Sequence, residues 1–436
     1  MLSAVAVLDD ATYFAQLRAT EFARLDAQQH AYLDYTGSAL YGESQLDAHR
    51  ELLRANLFGN PHSDSAPSRA STDAIDAMRN RVLRHFDVDA STHAVIFTAN
   101  TSAAIKLVAE SYPFSPRTAC VLAADNHNSV NGIREYATRA HSHVCHIALD
   151  DELRLRDPLA TLDRERGGLF AFPAQSNFSG VQHPLSLVRD AQLRGFDVLL
   201  DAAAFAPSNL LSLRECPADF AAFSFYKLFG YPTGIGALIA RRDALAKLRR
   251  PWFAGGTVLY ASVAARTHRL RASHEGFEDG TSDFLGIAAL GAGLDLLEAA
   301  QLRNLTAHVK QLTHVLLDGL RVMPHVRIYG PVDLQQRGGT VAFNVTGVPF
   351  GDVESRAREH GVSVRGGCFC NPGASEAAFG LRDVAFCLDK LGAGFTPEGF
   401  AKCANTAVGA VRASIGLANN EDDIQRLLDV VASFHS

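Results

Sequence analysis

The stretch FAAFSFYKLFGYPTGIGALIA (220–240) places one lysine, Lys227, between two apolar runs and follows it with glycines. Runs of this kind read as buried strands, so Lys227 falls in the connection at the C-terminal edge of a sheet. Ligands of open α/β sheets collect at that edge. An amine held there, with Ser224 and Tyr226 as neighbours, can form a Schiff base with an aldehyde. A solvated lysine at a strand end is the competing reading.

Other residues fall where a phosphate-bearing, nitrogen-containing aromatic aldehyde needs them. The ANTSAA turn (99–104) joins a strand to a helix, so the N–H groups of Thr101 and Ser102 and the Ser102 hydroxyl can meet a dianion at a helix N-terminus. A plain N-cap is the alternative. Asp201 ends the apolar run FDVLLD, where a carboxylate is costly unless it pairs with a cation such as a protonated ring nitrogen. His127, just after CVLAAD, can lie flat on an aromatic ring, and Asn177 in QSNFSG can hydrogen-bond a ring hydroxyl. A strand-end cap, a surface histidine and a turn asparagine are the respective alternatives.

The segment VSVRGGCFCNPGASE (362–376) holds a third group. Arg365 precedes Cys370 by five residues, with a double glycine and a Cys-Phe-Cys between them on an expected mobile loop. With Arg412 in GAVRASIGL, Arg365 offers bidentate recognition of a carboxylate, and both charges favour a thiolate nearby. Surface ion pairs and buried cysteines are the bland reading. Cys-x-Cys without ligands elsewhere does not make a zinc site, and there is no HExxH or paired CxxC, so no metal is expected.

These residues need a scaffold of alternating strands and helices. VIFT, CVLAAD, VCHIAL, LFAFPA, VLLDA, FAAFSF and IGALIA suit a mainly parallel sheet of about seven strands. Residues 31–289 are expected to form this large α/β domain. Residues 1–30 and 290–436, with TVAFNV, a helix at 352–361, a strand VSVR (362–365) and a final helix near 421–434, are expected to form a smaller α+β domain.

The chain of 436 residues, 47% hydrophobic and 20% charged, can bury a large core. Its net charge of −6 gives no attraction to nucleic acid or anionic lipid. RRDALAKLRR (241–250) reads as a solvated helix face. No uninterrupted apolar run approaches membrane-spanning length, and residues 1–22 lack a basic region before an apolar core, so a cytoplasmic protein is expected. Seven thinly spread cysteines are expected to be reduced thiols.

Taken together, SFYKLFGYPTGIGAL, LDAAAF, FTANTSAA, DNHNSV, QSNFSG, EDGTSDF and VRGGCFCNPGA resemble the class V, fold-type-I pyridoxal phosphate enzymes over about residues 30–432. Within them the likeness is to the cysteine desulfurase-like domain of molybdenum cofactor sulfurases. The resemblance implies pyridoxal 5′-phosphate as cofactor, with Lys227 as the Schiff-base lysine, Asp201 at the ring nitrogen, His127 stacked on the ring and Asn177 beside its hydroxyl. Thr101, Ser102, Ser224 and Tyr226 would hold the phosphate, joined by Thr281 from a second subunit of a homodimer. Arg365 and Arg412 would take the carboxylate of L-cysteine or a similar amino acid, and Cys370 would accept sulfur as a persulfide for an acceptor protein or cofactor. Ala204 and Tyr226 stand where general desulfurases carry Gln and His, and both suit the sulfurase branch. Ser375 stands where those sulfurases tend to have another cysteine. A lyase, epimerase or aminotransferase without a persulfide, or a silent scaffold, is the alternative to a desulfurase.

Overall fold

The computed structural model describes residues 9–381, 384–394 and 396–435. Its centre is a seven-stranded sheet. The spatial order is His93–Thr98, Gly236–Arg241, Phe220–Ser224, Asp197–Asp201, Gly168–Pro173, Ala119–Ala123 and His143–Ile147. Gly236–Arg241 runs antiparallel to both its neighbours, and the remaining pairs are parallel. Strands such as Gly168–Pro173 and Phe220–Ser224 are buried at every residue because helices cover both faces, which is why they read as unbroken apolar runs.

Side chains alternate between two cores, as the period of a strand requires. Val95, Phe97 and Phe223 belong to one core, which also takes in Phe229 and Leu290. Ala94, Ile96 and Ala222 belong to the other, with Ile105 and Val108 of the helix Thr101–Ser111. The long apolar stretch after 284 makes two helices, Phe284–Leu302 and Leu305–Arg321. The first has the length and overall apolar content to cross a membrane, although Asp295 and Glu298 interrupt its apolar run. Half of it is buried inside the protein, and Asp295 and Glu298 on it pair with Arg81.

A second sheet of four antiparallel strands has the order Val326–Tyr329, Thr340–Val345, Ala410–Ser414 and Arg365–Gly367. The expected single strand VSVR is divided between two partners. Val362–Ser363 pairs with Ala31–Tyr32, and the chain then turns so that Arg365 lies opposite Arg412. The hairpin Val258–Ser262/Thr267–Leu270 carries no apolar alternation strong enough to predict it, and Leu259, Tyr260 and Val263 on it are exposed.

The expectation of seven reduced cysteines is corrected. Cys387 and Cys403 form a disulfide, because the helices Val384–Leu391 and Pro397–Ala404 bring their Cα atoms to 5.8 Å, a bridging distance that linear spacing does not show. Cys120, Cys145, Cys216, Cys368 and Cys370 are free thiols.

Candidate active site

A cavity of about 320 Å³ opens at the C-terminal edge of the parallel strands. It is lined by eight of the residues singled out above: Thr101, Ser102, His127, Asn177, Asp201, Ser224, Tyr226 and Lys227. Four more lie outside it. Arg412 sits behind Asn177, Arg365 lies opposite Arg412 on the adjacent strand, Cys370 follows that strand, and Thr281 lines a neighbouring cleft that shares Ala99 and Gly234 with the cavity.

Lys227 sits in a single helical turn, Phe225–Phe229, directly after the strand Phe220–Ser224. Buried Phe225, Leu228 and Phe229 anchor the turn in the core, and the Lys227 side chain lines the cavity. Gly230 ends the turn at φ 81°, and a methyl group there would overlap the backbone of Leu40 and Tyr41. Among the described residues the Lys227 ammonium makes no hydrogen bond or ion pair. Burial lowers its pKa, with Arg412 and Arg365 adding to the effect and the Asp201 carboxylate opposing it. A lysine biased towards the free amine inside a polar cavity is a nucleophile in waiting.

Asp201 is 7% exposed, and its Oδ1 accepts from the N–H of Ala203 at 3.0 Å. His127 Nδ1 accepts from the N–H of Ser129 at 3.1 Å, which leaves the other ring nitrogen to carry the proton of the neutral imidazole. Burial lowers its pKa, opposed by Asp201 and reinforced by Lys227 and Arg412.

At the helix Thr101–Ser111 the cap is Asn100, whose side chain accepts from the N–H of Ala103 at 3.0 Å. The expected anion donors therefore need one correction. The Thr101 N–H is committed to Ser224 Oγ at 2.8 Å, and that hydroxyl also meets Thr101 Oγ1 at 2.6 Å. Ser102 Oγ is 2.5 Å from Ser129 Oγ, a residue the sequence reading missed. The cluster of hydroxyls at the start of this helix remains suited to a phosphate.

Arg365 and Arg412 face each other across adjacent strands, an arrangement that repels unless a carboxylate lies between them. Asp34 supplies it. Its Oδ1 accepts from Arg412 Nη2 at 2.8 Å, and its Oδ2 accepts from Arg365 Nη2 at 2.6 Å. A carboxylate of the chain itself thus already shares the two guanidinium groups expected to recognise a substrate carboxylate. Asp34 escaped the sequence reading because its partners lie 331 and 378 residues away. The Arg365 side chain is half-exposed, whereas buried Arg412 keeps a buried Nε without a hydrogen-bond partner among the described residues. Burial pushes the Arg412 pKa down, and hydrogen bonding to Asp34 pushes that of Arg365 up.

The Cys-Phe-Cys segment is neither extended nor loosely held. The Asn371 N–H donates to the Cys368 carbonyl at 3.0 Å, closing a turn in which Phe369 and Cys370 both have φ 56°. Cys370 is exposed, and its carbonyl accepts from the N–H of Asn128, next to His127, at 2.7 Å. Asn177, expected at a ring hydroxyl, donates from Nδ2 to the Phe369 carbonyl at 2.7 Å and accepts from Asn371 Nδ2 at 3.0 Å. Its side chain ties the cavity to the turn. No cluster of metal-ligating side chains occurs among the described residues.

Comparison with known proteins places this geometry. Residues 31–427 match the aminotransferase class-V family. The chain is 38% identical over 443 residues to molybdenum cofactor sulfurase 3 of Aedes aegypti, covering 94% of this chain and 57% of that one. It is 34% identical to the molybdenum cofactor sulfurase of Arabidopsis thaliana, covering 97% and 58%. The chain thus spans somewhat over half the length of these relatives. A cysteine desulfurase from Thermococcus onnurineus NA1 superposes with a TM-score of 0.80 at 25% identity, covering 96% of this chain and 97% of that one. The cavity with its unpaired lysine, set on this sheet, is that of a fold-type-I pyridoxal phosphate enzyme. Within that class, the chain belongs to the class-V aminotransferase family.

Proposed function

We propose that the protein takes sulfur from L-cysteine, leaving alanine and a persulfide on Cys370 for transfer to an acceptor. The observation that carries this reading is the unpaired Lys227 in a hydroxyl-lined cavity, with an exposed cysteine turn hydrogen-bonded to the cavity's rim. The residues present fit pyridoxal 5′-phosphate. Lys227 would hold the aldehyde, Asp201 the ring nitrogen and His127 a ring face, with Ser102, Ser224, Thr101 and Tyr226 around the phosphate. When bound, the cofactor supplies an electron sink for the substrate α-carbon.

The chain's own groups do the rest. Lys227 Nζ, biased towards the free amine, carries the α-proton. Arg365 holds the substrate carboxylate with N–H groups that Asp34 leaves unused, and Arg412 supports it from behind. Cys370 Sγ attacks the substrate sulfur. A sulfur–sulfur bond forms as the sulfur–carbon bond breaks, the released electron pair stays on carbon, and a proton completes alanine. The two thiols enter and the persulfide and alanine leave, with no external oxidant or reductant. On the strength of the sulfurase relatives, the acceptor we propose is the molybdenum cofactor. Alanine and reductant-released sulfide formed in equal amounts from L-cysteine support the reading, and an enzyme that releases pyruvate instead overturns it.

The lowered Lys227 pKa gives a pH dependence. A depressed value means that the amine loses its proton at lower pH than an ordinary lysine, whose value is 10.5. Only the free amine attacks an aldehyde. The rate at which apoprotein takes up pyridoxal phosphate, followed by its visible band, should therefore level off below pH 10.5. A rate still climbing through that pH contradicts the assignment.

Thr281 lies outside the Lys227 cavity of its own chain, in a cleft it shares with exposed Trp252, and Leu259, Tyr260 and Val263 of the hairpin are exposed apolar residues too. The proposed active form is a symmetric dimer in which Thr281 of the partner subunit completes the phosphate site. Sedimentation should give twice the chain mass, and full activity in a monomer rules this out.

A further inference from the structure

Phe369 and Cys370 both occupy the left-handed region at φ 56°, which is unfavourable for residues with a Cβ and persists only where surrounding contacts over-determine it. The contacts that do so converge on one side chain outside the proposed chemistry, Asp125. It is fully buried, two residues before His127. Its Oδ1 accepts from Ser176 Oγ and from Asn371 Nδ2, both at 2.7 Å, and its Oδ2 lies 3.0 Å from His183 Nε2. Two of these partners adjoin a residue given a role above: Ser176 adjoins Asn177, and Asn371 adjoins Cys370.

A second row of contacts runs beside the carboxylate. Gly373 presses on Ala124, where a methyl group would overlap the Ala124 carbonyl oxygen, and the Cys370 carbonyl takes the Asn128 N–H. On the other flank, the Phe369 ring packs against Phe178 at 5.3 Å and lies under the Arg412 guanidinium at 4.7 Å. Cys370 is thus the exposed residue between two anchored ones.

We propose that Asp125 is a positioning residue for the sulfur-accepting thiol, acting through Asn371. A buried carboxylate is costly unless fully hydrogen-bonded. Here its bonds hold together the strand end that bears His127, the Asn177 loop and the cysteine turn. This role rests on the desulfurase reading, and its test has one arm that does not.

Asn371→Ser keeps the helix cap, since serine caps as well as asparagine, and drops the reach to Asp125 together with the bond to Asn177. Hydrogen exchange on the holoenzyme should quicken about tenfold at the amides of Asn128 and of residue 371 as the turn comes loose. With L-cysteine, kcat should fall about 10²-fold, the loss expected for a misplaced nucleophile, while KM and the cofactor band stay unchanged. Asp125→Asn in the otherwise unchanged chain, which retains one acceptor oxygen for Asn371, should keep most of the wild-type kcat. Unchanged exchange overturns the anchor, and quicker exchange with unchanged kcat overturns its positioning role. Loss of the cofactor band along with kcat overturns it too, since the effect then lies in the cavity. If the wild-type protein makes no alanine, the desulfurase reading fails, and the exchange rates alone decide the anchor.

Discussion

Lys227→Ala protein, passed through amine-free buffer with pyridoxal phosphate, is expected to emerge without the visible band of the lysine-bound cofactor and to make no alanine from L-cysteine. Three features make this the largest effect of any single substitution. Lys227 makes no hydrogen bond or ion pair among the described residues, so its removal leaves no buried partner unsatisfied and the fold should stand. It is the lysine that lines the cavity, so no second amine there replaces it. Its two tasks, bonding the aldehyde and carrying a proton, each fall to the same Nζ; proton transfer alone is worth about 10²–10⁴-fold in rate. Absorbance and an alanine assay on the folded variant decide the matter. A variant that keeps both band and turnover places the chemistry at another amine.

Much of this cavity was legible because its residues stand at the ends of apolar runs. Asp201 closes FDVLLD, Ser224 closes FAAFS, and Lys227 follows within three residues, so strand ends in the sequence become neighbours at one sheet edge. The same logic fails for Asp34 and Asp125. Each acts through partners brought near by the tertiary fold: the Arg365–Arg412 pair for Asp34, and Ser176, His183 and Asn371 for Asp125. Neither carboxylate has a local pattern to announce it. Gly and Cys in VRGGCFC were read as marks of a mobile loop, although the double glycine belongs to a strand and the cysteines to a closed turn. Composition reports what a backbone permits, whereas packing of Phe369 and Gly373 decides what it does.

That closed turn changes how the two neighbouring thiols differ. An extended loop would have set Cys368 and Cys370 on the same side, since side chains alternate every two residues. In the turn, Cys368 provides the carbonyl at its start and Cys370 is its second central residue, next to the Asn128 contact at the rim of the cavity. Both thiols are exposed, so accessibility does not choose between them. Position does. Cys370→Ala should retain the cofactor band and its spectral response to L-cysteine, because nothing in the Lys227 cavity is touched, yet alanine formation should drop about 10²-fold or more for want of a nucleophile held at the sulfur. Cys368→Ala, which leaves the backbone carbonyl of the turn in place, should lose no more than a few-fold. The measurement is alanine per enzyme with time, alongside mass spectrometry for a sulfur atom added to the 365–376 segment. Equal losses in the two variants would make the pair a shared sulfur carrier, and a wild-type rate in Cys370→Ala would remove the persulfide from the reaction.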